Sequence, residues 1–498
     1  MVKKILLSVT LAIVSSAYSR AEVHPAGLFG NGVVLQQKKP VPVWGTARDG
    51  EKVTVNFQGH EISTVAHDGQ WRVTLPPLDA GGPFTLVIHG DNTIVCTNVL
   101  VGEVWLCSGQ SNMAFKLYRA ATAAAAIAAS TDNQLRFFQV FHEAADEPRT
   151  DVTGDWQTSS PVTSSNFSAV AYFFGRDLRK ALGVPVGLID TSVGGTPIRA
   201  WISRPALAAD PKLQTVLTDY ETSVKEFDPA KAEAEFADAQ KEFALKKSRA
   251  EAEGRPAPTP PRKGVNPARR SNRPACLYNG LIAPLVPYAL AGVIWYQGEA
   301  DSSRGAQYQI LFPTLIRSWR AAWAEGDFPF LFVQVAPYHE TKPEIREAQM
   351  LTVKRVPFTA MAVTADVGEN LNIHPLQKEP VGDRLALAAR VLAYGEKIEY
   401  IGPAYASMNV VSNSAVLNFS HADGLAAHGD KVRGFTIAGA DGIFFPAEAL
   451  IESNTVAVHA PEVSQPVAVR YGWANTPNVN LFNSAGLPAS PFRTDVPQ

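Results

Sequence analysis

The chain has 498 residues, 46% hydrophobic and 18% charged, with 45 Lys and Arg against 47 Asp and Glu. That is ordinary globular material with ample core, and at roughly 150 residues per domain it allows two to four domains. A formal charge of -2 lacks the basic footprint that a nucleic-acid partner requires. The three cysteines, Cys96, Cys107 and Cys276, are too few for a disulfide scaffold; buried free thiols are expected, with one bridge as the alternative, and no zinc-ligand spacing is present.

Residues 1–21 read as a secretory signal peptide. Lys3 and Lys4 precede the apolar run Ile5 to Val14, and small residues follow, with cleavage after Ser19 or Ala21. Export to the periplasm or the extracellular space is therefore expected, with no membrane insertion after cleavage. Residues 22–100 predict a small β-sandwich: short alternating runs at Val33–Leu35, Val41–Trp44, Lys52–Phe57, Trp71–Leu75 and Phe84–Ile88 are separated by Gly, Asp and Pro.

From residue 101 strands alternate with helices. Strand-like runs occur at Glu103–Ser108, Val186–Thr191, Gly292–Tyr296, Phe328–Val335 and Ala360–Asp366. Helical periods run over Ser168–Leu182, with Gly183 as C-cap, and over Leu311–Trp323 and Val381–Tyr394. This alternation predicts a parallel sheet covered by helices on both faces, built from residues 101–202 and 276–400. Residues 203–275 interrupt it with an Ala/Glu/Lys-rich exposed helix or helical hairpin. An irregular Pro/Arg-rich stretch follows, whose Arg262, Lys263, Arg269, Arg270 and Arg273 read as a solvated loop. Residues 401–498 turn β-rich again.

Parallel sheets bind ligands at the carboxyl ends of their strands, and chemistry-bearing residues gather there. The first strand ends in Gly109-Gln110-Ser111-Asn112-Met113, a glycine-bearing turn of the kind that lifts a serine hydroxyl above a sheet. The second ends in Gly194-Gly195-Thr196, where a glycine lets a backbone N–H approach an oxyanion. The third ends in Gln297-Gly298-Glu299-Ala300-Asp301, and the fifth leads to His374. Strand four ends at Tyr338 and His339, read as a pocket wall.

These runs, with Gly194–Trp201, Leu277–Leu285, Ile373-His374-Pro375 followed by Lys378, and Arg470–Asn475, resemble the sialate O-acetylesterase family of the SGNH hydrolase superfamily. The resemblance spans essentially the whole mature chain. It implies an α/β fold, a flavodoxin-like three-layer SGNH hydrolase domain with flanking β-sandwich domains. It also implies release of acetate from an acetylated carbohydrate, without metal or other cofactor. Position by position, Ser111 resembles the nucleophile and His374 the base. Ser111 N–H, Gly195 N–H and the Gln297 side chain resemble the oxyanion donors. Where the family often shows Asp two residues before the histidine, this chain has Asn372. A carboxylate orienting His374 must then come from Asp366, the preferred candidate, or Glu369, unless a backbone carbonyl does the work. Arg199, Trp201 and Glu299 are candidate sugar contacts, Arg199 for a carboxylate and Trp201 for stacking on a ring. The competing readings are an acetyl xylan esterase-type polysaccharide deacetylase, a glycoside hydrolase using Glu299 and Asp301, and a non-catalytic carbohydrate-binding protein using Trp44, Trp71 and Trp473. Oligomeric state is open.

Overall fold

The computed structural model describes residues 22–141 and 143–495. The expected signal peptide lies outside the described residues. The centre is a sheet whose strands are β1 (Thr93–Gly109), β2 (Asp132–Gln139), β3 (Trp156–Ser159), β4 (Val186–Asp190), β5 (Gly292–Tyr296), β6 (Phe330–Val333) and β7 (Thr359–Ala362). Their order across the sheet is β3-β2-β4-β1-β5-β6-β7. All neighbours are parallel except the edge pair β3 and β2. The five strands expected from the sequence are all in place; β2 and β3 are additions on one edge.

The strand side chains alternate between two apolar layers, as period-two geometry requires of a strand buried on both faces. Trp105, Cys107, Leu188, Ile294 and Leu331 face one layer with the helices α1 (Ala169–Leu182) and, near the end of the chain's α/β part, α5 (Glu379–Leu392). Val104, Leu106, Ile189, Val293, Trp295, Phe330 and Phe332 face the other, against α3 (Gly305–Trp323) and α4 (Pro343–Arg355). Helix α1 begins where Ser168 Oγ accepts the N–H of Ala171 and ends at Gly183 with φ +69°, a left-handed cap that a residue without Cβ adopts freely.

The expected boundary at residue 100 falls inside one continuous strand. The first half of β1 pairs antiparallel with Gly81–His89 and parallel with Val34–Gln36, and its second half pairs with β4 and β5. The N-terminal β-unit therefore shares a strand with the central sheet, and its apolar side chains run into the same core. In the interruption at 203–275, the 24-residue helix α2 (Pro229–Ala252) is mostly exposed, and the Pro/Arg stretch after it holds only a short turn at Pro267–Arg269. Lys263 pairs with Glu233, and Arg273 with Asp146. The C-terminal residues form two four-stranded antiparallel sheets and one two-stranded sheet around their own apolar cluster, which includes Leu417, Ile437, Val456, Tyr471 and Phe492. All three cysteines are buried and free.

Candidate active site

The site is assembled where β1, β4 and β5 end together. Gly109 closes β1 at φ +134°; a Cβ there would stand 2.2 Å from the Tyr296 carbonyl oxygen, so the chain can turn only because position 109 has no side chain. The N–H of Gln110 donates to that same carbonyl, and the N–H of Val193 donates to Gly109 O. These bonds place the half-buried Ser111 beside the exposed loop of Gly194 and Gly195. Gly194 faces Ser111 directly: a Cβ built on it would lie 3.5 Å from the serine Cβ. Gly195 sits at φ +71°. Neither Ser111 N–H nor Gly195 N–H has a hydrogen-bond partner among the described residues.

His374 lies on the loop after β7, tied to the serine turn through its neighbours. Asn112 Nδ2 donates to Ile373 O at 3.0 Å. Within the loop, Asn372 Oδ1 accepts the N–H of His374, and Glu369 accepts from Asn372 Nδ2 and from the N–H of Leu376. The imidazole itself takes no hydrogen-bond partner among the described residues. Burial, and after it the positive charges of Lys378 and Arg119, hold its pKa below the ordinary histidine value.

Several expectations are corrected. Asp366 does not orient His374: both its oxygens are bound by Arg384 of α5, at 2.8 and 2.6 Å. Glu369 serves the loop backbone and Asn372 instead of the imidazole. Gln297 is fully buried, and its two amide hydrogens go to Thr196 O at 3.1 Å and Asp301 Oδ2 at 2.7 Å, while its Oε1 accepts from Tyr308. No hydrogen is left to meet an oxyanion, and Gln297 instead pins the β4 loop to the β5 loop. Trp201 offers no face to a sugar. It is fully buried, donates to Thr196 Oγ1 and packs edge-on against Trp295. Glu299 turns inward: Oε1 accepts from Asn112 Nδ2 at 2.5 Å and Oε2 is buried without a partner, so burial raises its carboxyl above the usual range. Asp301 is likewise buried, accepting from Ile198 N–H as well as Gln297. Arg199 lines a cavity of about 450 Å³ with Tyr220, Arg273 and Arg304.

Two residues missed as participants stand at the centre. Asn112 and Lys378 are buried and joined by a 2.5 Å hydrogen bond. Both stand inside the sequence runs singled out above, but nothing in their spacing shows that they meet.

A parallel α/β sheet with a serine turn and a glycine turn at its carboxyl ends and a histidine loop tied to them has the parts of a hydrolase. The profile of the carbohydrate esterase family described as sialic acid-specific acetylesterase matches residues 101–236 and 273–389, passing over much of the exposed insertion. Sialate O-acetylesterase of Rattus norvegicus is 31% identical over 531 residues, covering 95% of this chain and 94% of the relative. The Homo sapiens enzyme is 30% identical, with 94% and 91% covered. The crystal structure of a carbohydrate acetylesterase from Xanthomonas citri superposes with a TM-score of 0.81 at 36% identity, over 95% of this chain and all of that one. The chain belongs to this sialic acid-specific acetylesterase family of carbohydrate esterases, and it is a carboxylic ester hydrolase.

Proposed function

We propose that the protein is an exported serine esterase that removes O-acetyl groups from acetylated sugars through an acetyl-enzyme. The observation that carries this reading is the pair of unpartnered N–H groups, of Ser111 and Gly195, beside an accessible serine. Backbone donors fixed in advance are what a developing oxyanion needs. The strand order β4-β1-β5-β6-β7, which is 2-1-3-4-5 counted along the chain, supports a flavodoxin-like SGNH architecture.

Ser111 Oγ attacks the acetyl carbonyl carbon as His374 accepts its proton. The tetrahedral oxyanion rests on Ser111 N–H and Gly195 N–H. It collapses with cleavage of the bond to the sugar oxygen, which leaves with the proton from His374. Water then gives its proton to the same imidazole and attacks the acetyl-enzyme, releasing acetate and restoring Ser111. Because burial and nearby cations keep the imidazole neutral, it is ready to act as a base near neutral pH.

Ser111→Ala is expected to abolish acetate release from an aryl acetate and from acetylated sugars, with folding intact. Release at the wild-type rate would remove Ser111 from the reaction. A panel of O-acetylated sialic acid, xylan and other acetylated glycans, scored by free acetate, then assigns the substrate.

A further inference from the structure

The Ser111 and His374 reading leaves the base without a carboxylate partner, so something else must hold the imidazole in place. Asn112 is the residue next to the serine and is fully buried. Its carboxamide meets three groups from two other parts of the chain: Nδ2 donates to Glu299 Oε1 at 2.5 Å and to Ile373 O at 3.0 Å, and Oδ1 accepts from Lys378 Nζ at 2.5 Å. The amide can face only this way. An ammonium has donors alone, whereas a carbonyl and a carboxylate offer acceptors, so a flipped amide would point oxygen at oxygen. Lys378 thus fixes the orientation of Asn112, and Asn112 in turn fixes the peptide that precedes His374.

Lys378 is 1% exposed. Its ammonium lies over two aromatic rings, 4.9 Å from the Phe115 centre and 5.2 Å from that of Tyr296, contacts that offset part of its desolvation. Burying an ammonium with no carboxylate in direct contact costs stability, and such a group needs a reason. Burial brings its pKa down to about 7; Glu299 and Glu369 oppose the fall and Arg119 adds to it. The charges facing His374 are Lys378 and Arg119.

We propose that Asn112 and Lys378 are positioning residues for the ester hydrolysis, fastening the backbone of the His374 loop to the serine turn where a triad would fasten the imidazole to a carboxylate. The inference rests on the serine and histidine roles proposed above.

The test is Lys378→Met beside Asn112→Ala and Ser111→Ala, with kcat, KM, the pH profile and the thermal midpoint measured on an aryl acetate. Lys378→Met keeps the volume between Phe115 and Tyr296, so it is the variant that stays folded if Asn112→Ala does not. Its kcat should fall on the order of 10²-fold with KM little changed, as expected for a misplaced base. The acid limb of the pH profile should move up, because a cation beside the imidazole is gone. Its thermal midpoint should change little, because relief of the buried charge offsets the donor lost from Asn112 Oδ1. Full kcat with an unmoved acid limb in Lys378→Met, while Ser111→Ala is inactive, overturns this inference and leaves the serine reading standing. A loss of kcat that only tracks a lowered thermal midpoint, with the acid limb unmoved, assigns Lys378 to stability and overturns it as well. Wild-type turnover by Ser111→Ala overturns both.

Discussion

At the scale of single residues, the pH response follows from the surroundings of His374. A lowered imidazole pKa means the base stays neutral to lower pH than a free histidine would. The acid limb of kcat/KM is therefore expected to have its midpoint below pH 6.5, the ordinary histidine value. A midpoint at or above that value would contradict the charge arrangement around the imidazole. Gln297 gives a second residue-scale prediction. Gln297→Ala takes the amide donor from Thr196 O and from buried Asp301, while the Tyr308 hydroxyl keeps the backbone carbonyl at position 297. An unmet buried polar group costs about 1–3 kcal/mol, so the variant should lose stability by at least that much in denaturant unfolding. Lost turnover with unchanged stability would return Gln297 to the oxyanion hole. The turns that carry Ser111 and Gly195 were legible as turns because glycines follow apolar strands at both places. The fates of Gln297, Asp366 and Trp201 were not legible. An amide hydrogen, a carboxylate and an indole commit to whichever neighbour the fold delivers, and Thr196, Arg384 and Trp295 arrive from other elements.

At the scale of elements, the five parallel strands were readable as apolar runs, but β2 was not. Its first residues, Asp132, Asn133 and Gln134, are polar, and its buried stretch is only Leu135–Phe138. Arg136 sits inside that stretch, where its guanidinium is satisfied by Thr158 Oγ1, Asn98 Oδ1 and Asn133 O. A charged residue in a short run hides a strand from any reading by hydrophobic pattern. The close approach of β1 and β5 at their carboxyl ends is the feature the site depends on most. Gly109→Ala would drive a methyl to 2.2 Å from Tyr296 O in a backbone conformation that L side chains rarely adopt. Either the strand ends part or the turn refolds. The expected result is loss of esterase turnover by at least 10²-fold, since an ångström of misplacement has that effect, together with a lowered thermal midpoint. An active, stable Gly109→Ala protein would show that the serine turn is not held as described.

At the scale of the whole molecule, the C-terminal β-unit is more than an appendage, because it reaches the histidine loop. Arg346 of α4 is 1% exposed and donates to Val335 O, Ala474 O and Asn475 O at 2.7–3.0 Å. Burial brings its guanidinium down to about 10, which still leaves it charged at neutral pH. The turn it holds continues the chain of contacts: Asn475 Nδ2 donates to His339 O at 2.6 Å, and the His339 N–H donates to Asn370 O at 3.1 Å, four residues before His374. The pocket wall read from the sequence at Tyr338 and His339 is thus a brace between the two units. Arg346→Met removes the donors from one buried carbonyl, Val335 O, and two part-buried ones, Ala474 O and Asn475 O, and the buried group alone costs about 1–3 kcal/mol. The C-terminal unit, which has its own apolar cluster, should then unfold as a separate, earlier calorimetric transition. Because the brace loosens the loop that carries the base, kcat for an aryl acetate should fall several-fold while KM holds. One unshifted transition with unchanged kcat would mean that the β-unit stays docked through its other contacts, such as the Arg493–Glu347 pair, and that Arg346 does not couple it to the site.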